Sequence, residues 1–123
     1  MHDFRYVNGR LHCEGVSIAA LAKQHGTPLY VYSSKTLTDH FTKLSNALAP
    51  LDHLICFAMK SNSNQAVLRT LADLGSGFDT VSGGEIQRAI AAGGDPIKCV
   101  FAGVGKTGAE IAYALRKRIY CFH

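Results

Sequence analysis

The sequence lacks most of the features that would assign its 123 residues to a special environment. No apolar run approaches the ~18 residues of a membrane-spanning helix. The opening Met1-His2-Asp3-Phe4-Arg5-Tyr6 carries an acid and has no apolar stretch of the signal-peptide kind, so a soluble, cytoplasmic protein is expected. The four cysteines, Cys13, Cys56, Cys99 and Cys121, include no Cys-x-x-Cys pair, and three lie in apolar, strand-like runs, as buried reduced thiols do. Histidines at positions 2, 12, 25, 40, 53 and 123 form no pair at the helix-face spacing of metal ligands, so no metal site is expected. Charge is also scarce: charged residues make up 18%, and a net charge of +4 is too mild to argue for nucleic acid. The one basic cluster, Arg116-Lys117-Arg118, reads as a solvated helix end, where cations complement the macrodipole. Neither nucleic acid nor membrane is expected as a partner. What remains is globular composition, 47% hydrophobic, long enough to bury a core but short for a complete α/β enzyme.

The chain is organised around residues 54–62, Leu-Ile-Cys-Phe-Ala-Met-Lys-Ser-Asn. Six apolar residues ending abruptly on Lys60 read as a strand buried on both faces, with the charge at its carboxyl end. In α/β folds that end is where chemistry takes place. Before it, Asn8-Gly9 predicts a tight hairpin between residues 4–7 and 11–13. Ser17 caps a short helix through His25, Leu29 to Tyr32 reads as a strand after Thr27-Pro28, and Ser33 or Ser34 caps a helix bearing Leu37, Phe41, Leu44 and Leu48.

From Leu54 onward a unit of strand, loop, helix and glycine turn recurs, with strands starting near 54, 77, 99 and 119 and helices over 64–74, 84–92 and 107–117. Such alternation implies βαβ units in a parallel sheet. A doubly wound sheet and a (β/α)8 barrel both fit, and near-equal spacing leans toward the barrel. A whole barrel takes about 250 residues, so this chain would be its first half, leaving unpaired strand edges that point to truncation or a partner.

Two candidate sites follow from the residues. The stretch Phe101-Ala-Gly-Val-Gly-Lys-Thr107 looks like a phosphate-binding loop, but the Gly-x-x-x-x-Gly-Lys-Thr pattern requires glycine where Val100 stands. Asp79, inside the otherwise apolar second strand, needs a partner there, and Lys60 on the neighbouring strand is the natural one. That pair reads equally as structural or functional. Lys60 reads either as a lysine snorkelling from a strand end or as an amine withdrawn from water and available for Schiff-base formation.

Together, Phe57-Ala-Met-Lys-Ser-Asn62, Gly77-Phe-Asp-Thr-Val-Ser-Gly-Gly-Glu85 and Phe101-Ala-Gly-Val-Gly-Lys-Thr107 resemble the diaminopimelate decarboxylases, within the fold-type III pyridoxal-phosphate group. Tyr6-Val-Asn-Gly-Arg-Leu-His12 and Gly26-Thr-Pro-Leu-Tyr-Val-Tyr32 are similar to that family's opening. The resemblance implies an α/β fold, the N-terminal half of an alanine racemase-like (β/α)8 barrel. Residues 1–28 would join a β-domain, and residues 29–123 would start the cofactor-binding barrel. It implies pyridoxal 5'-phosphate as cofactor, Lys60 as the catalytic lysine of the internal aldimine, and Asp79 beside it as a cofactor-binding residue. The implied reaction is decarboxylation of meso-2,6-diaminopimelate to L-lysine by a full-length homodimer. The family's ring-stacking histidine, glycine-rich phosphate cradle, pyridine-nitrogen glutamate and β-domain are not in these residues, so the chain alone is expected to be inactive. A pyridoxal-phosphate carrier of the same fold group, or a non-catalytic fragment, is the alternative, and residues 4–13 favour the decarboxylase because a simple barrel has little use for that ribbon.

Overall fold

The computed structural model describes residues 2–123. They divide into two compact units, one running to His40 and one over Phe41–His123.

The first unit holds a three-stranded antiparallel sheet of β1 (Phe4–Val7), β2 (Arg10–Cys13) and β3 (Val16–Ser17), in that order, followed by helix α1 (Ile18–His25). Asn8 and Gly9 both take positive φ, 49° and 74°, the backbone of a two-residue hairpin turn that matches strand twist. The third strand was not foreseen, since its two residues pair with His12 and Cys13 and carry no pattern of their own. Residues 29–32, expected to be a strand, join no sheet among the described residues. Helix α2 (Ser34–Leu48) starts in this unit, where Glu14 Oε1 accepts Ser33 Oγ–H at 2.8 Å and Lys35 N–H at 3.1 Å. Thr36 Oγ1–H donates to Asp3 at 3.1 Å. These bonds tie the start of α2 to the ribbon.

The second unit is a parallel sheet in the order β4 (Cys56–Ala58), β5 (Gly77–Thr80), β6 (Cys99–Phe101) and β7 (Cys121–Phe122). The crossovers are α3 (Gln65–Asp73), α4 (Gly83–Ala91) and α5 (Gly108–Lys117), so each expected helix lies within two residues of its predicted bounds. Each helix begins on a side-chain cap: Asn64 accepts Ala66 N–H, Ser82 accepts Glu85 N–H, and Thr107 forms a full capping box with Glu110.

Register decides which face each residue takes, because Cα partners in parallel strands point the same way and successive residues alternate. Phe78 pairs with Cys99 and Thr80 with Phe101, and all four are fully buried on the helix-covered face. Ile86 of α4 and Ala114 of α5 pack with Phe101 there, with Ile90, Tyr113 and Ile119 around them. The opposite face carries Cys56, Ala58, Asp79, Val100 and Cys121, and all five are half-buried. Among the described residues β4 forms the edge of the sheet, short and half-buried along its length, so burial on both faces is not seen there.

Candidate functional site

Lys60 lies just past β4, in a single 3-10 turn (Met59–Ser61) rather than on the strand itself. Met59, 1% exposed, anchors this turn in the core, so the adjacent lysine is thrown outward and is exposed. A chain of short polar contacts fixes the turn. Ser61 Oγ–H donates to the Ala58 carbonyl at 2.7 Å, Asn62 N–H to the Met59 carbonyl at 3.1 Å, and Asn64 N–H to Asn62 Oδ1 at 2.9 Å. The loop is also tied to α4, since Arg88 donates to the Ser63 carbonyl at 3.4 Å and Gln65 Nε2–H to the Arg88 carbonyl at 3.1 Å. The backbone around Lys60 is thus held on both sides, whereas its amine has no ion-pair or hydrogen-bond partner among the described residues.

Asp79 is placed close to this turn by register: its Cα partner on β4 is Ala58, two positions before Lys60. It sits on the half-buried face, where water still reaches the carboxylate, so the penalty of a fully buried charge does not arise. Among the described residues it forms no salt bridge, and the expected pair with Lys60 is not made. The ion pairs here are those of Lys35 with Asp3 and Asp39. Lys60 itself is exposed among the described residues. Cys56 shares Asp79's face, and its thiol is pushed above the ordinary range by burial first and by the charges of Asp79 and Cys121 second.

The Phe101-to-Thr107 stretch does other work than cradling a phosphate. Thr107 caps α5, and Lys106 reaches back to the Gly103 carbonyl at 2.6 Å and over the Phe101 ring at 5.4 Å. Glu110 is a further ionisable residue of this stretch, and the Thr-x-x-Glu spacing at 107 and 110 is the local signal of its capping role. Its carboxyl is held below the ordinary range by the Thr107 and Gly83 backbone N–H groups and by the Thr107 hydroxyl. No helix among the described residues is long and apolar enough to cross a membrane.

Parallel strands alternating with helices define an α/β protein, with an unpartnered amine just beyond the carboxyl end of the first strand. The family described as "Pyridoxal-dependent decarboxylase, pyridoxal binding domain" matches residues 34–123. The chain belongs to that family. It is 56% identical over its whole length to the diaminopimelate decarboxylase of Vibrio cholerae and 51% identical to that of Haemophilus influenzae, covering 30% of each. The crystal structure of diaminopimelate decarboxylase from M. jannaschii in co-complex with L-lysine superposes with a TM-score of 0.93 at 32% identity, over 100% of this chain and 30% of that one. The four-stranded parallel sheet is accordingly the N-terminal part of a fold-type III barrel, as the resemblance implied, and of the two architectures left open by the spacing it is the barrel. The chain spans about 30% of the length of the curated relatives it matches.

Proposed function

We propose that this chain is the amino-terminal part of a cytoplasmic, homodimeric enzyme that removes carbon dioxide from meso-2,6-diaminopimelate to give L-lysine. The observation that carries the reading is Lys60: a primary amine without ionic or hydrogen-bonded partner, on a turn fixed from both sides, at the carboxyl end of the first parallel strand. An amine so placed fits the aldehyde end of pyridoxal phosphate, whose electron-accepting ring supplies the chemistry of carbon dioxide loss when bound. Lys60 would be the residue that holds the cofactor at its aldehyde end, and its amine would be placed to carry a proton there. The fixed turn sets where the Lys60 backbone stands at the end of the strand, which lowers part of the entropy lost on reaching the reactive geometry. Asp79, on the neighbouring strand and free to accept, orients N–H or positively charged groups that enter beside Lys60. The antiparallel ribbon, a sheet separate from the parallel one, supports the decarboxylase over a carrier that needs only the barrel.

Lys60→Ala in the intact protein tests this. The visible absorbance of the lysine-bound cofactor and its borohydride capture are expected to disappear together. Capture on a different lysine would sink the assignment, and release of another amine in place of L-lysine would sink the substrate.

A further inference from the structure

A single carboxylate joins the two loops that follow β5 and β6. Glu110 Oε1 accepts Gly83 N–H at 2.8 Å, while Oε2 accepts Thr107 N–H at 3.0 Å and Thr107 Oγ1–H at 2.8 Å. Only the Thr107 bonds belong to the cap of α5 itself; Gly83 is the first residue of the neighbouring helix, α4. The fit at Gly83 is close, since a Cβ there would stand 2.9 Å from Glu110 Cγ. A second, independent contact joins the same loops. Gly103, at φ 92°, lies so near residue 81 that a Cβ would stand 3.2 Å from the Val81 carbonyl oxygen and 3.3 Å from the Val81 Cβ. The turn over residues 81–83 directly follows the strand that carries Asp79, so whatever holds this turn also holds the carboxyl end of that strand.

We propose that Glu110 is a positioning residue for the candidate site, locking the 81–83 turn to the 102–107 loop and thereby setting where Asp79 stands beside Lys60. The proposal rests on the reading of Lys60 and Asp79 given above. A helix cap alone would affect stability; a lock on the Asp79 strand end also affects the cofactor environment.

The experiment uses the intact protein with Glu110→Gln, Glu110→Asp and Gly83→Ala. Glutamine keeps one acceptor oxygen but turns an NH2 toward the other N–H group, so one loop is released. Expected for Glu110→Gln are a fall in kcat of about tenfold with little change in KM, as for a reacting group displaced by a fraction of an ångström. The pH midpoint of the visible cofactor band is expected to shift, and backbone deuterium uptake over residues 81–83 to rise in the cofactor-free protein. Glu110→Asp, which keeps the charge, recovers part of each. Gly83→Ala, whose Cβ would meet Glu110 Cγ and push the carboxylate aside, is expected to repeat the loss of kcat and the rise in deuterium uptake. It carries the test if Glu110→Gln does not fold. A lowered melting temperature with unchanged kcat, unchanged midpoint and unchanged uptake would overturn the proposal. Lys60→Ala run alongside separates the two readings: if that variant keeps the visible band, the Lys60 assignment fails, while the uptake data still judge the lock.

Discussion

At the scale of single residues, function and stability are carried by different neighbours in the chain. Met59 is buried and Lys60 beside it is exposed, so the core residue fixes the turn that presents the amine. Ser61→Ala removes the hydroxyl bond to the Ala58 carbonyl and is expected to cost about 1 kcal/mol, read as a lowered denaturation midpoint with the slope unchanged. Phe78→Ala opens a cavity under the helices and is expected to cost about 3–5 kcal/mol, measured the same way. Burial pushes the Cys99 thiol up to about 11, with the Cys56 and Asp95 charges adding to it. Cys99 should therefore stay unmodified by iodoacetamide at pH 8 in the folded protein and react once denatured, which mass spectrometry of the labelled peptides checks. Lys60 and Asp79 were legible as candidates from residue type and strand position alone. That they do not pair was not legible, because it depends on where a turn of three residues points the lysine.

Elements were the most legible level. Caps and glycine stops are local signals, so the bounds of α3, α4 and α5 follow from Asn64, Ser82 and Thr107 at one end and, for α3 and α4, from Gly75 and Gly93 at the other. Asn64→Ala is expected to cost about 1 kcal/mol, and Thr107→Ala more, since the latter also breaks the reciprocal half of a capping box. The bonds that hold the Glu110 carboxyl below its ordinary value of 4.5 favour the ionised form in the folded state. Their contribution is present above that value and is lost as pH falls through the lower folded value. The melting-temperature gap between parent and Glu110→Gln should accordingly be widest at neutral pH and narrow below about pH 4.5, which thermal melts across pH 3–7 would show. Where an element has no local signal, expectation failed. Residues 29–32 have the apolar composition of a strand but pair with no strand among the described residues, and β3 has a neighbour but no pattern.

For the molecule as a whole, the sheet of the second unit has helices on one face and a half-buried second face that carries Cys56, Asp79 and Cys121. On the proposed function, residues 1–123 expressed alone are expected to release no L-lysine from meso-diaminopimelate and the intact protein is expected to release it; amino-acid analysis of the reaction mixture checks both. By itself the sequence determined what is encoded within a few residues: the hairpin turn at Asn8-Gly9, the helix caps, the alternation of strand and helix, and the lysine that ends an apolar run. Only the tertiary structure decided which residues share a face, that Lys60 stands exposed and makes no ion pair with Asp79, and that Glu110 serves two helices. The physical reason is range. A cap or turn closes its hydrogen bonds within a few positions, whereas register, burial and a carboxylate shared between residues 83 and 107 depend on groups brought together from distant parts of the chain.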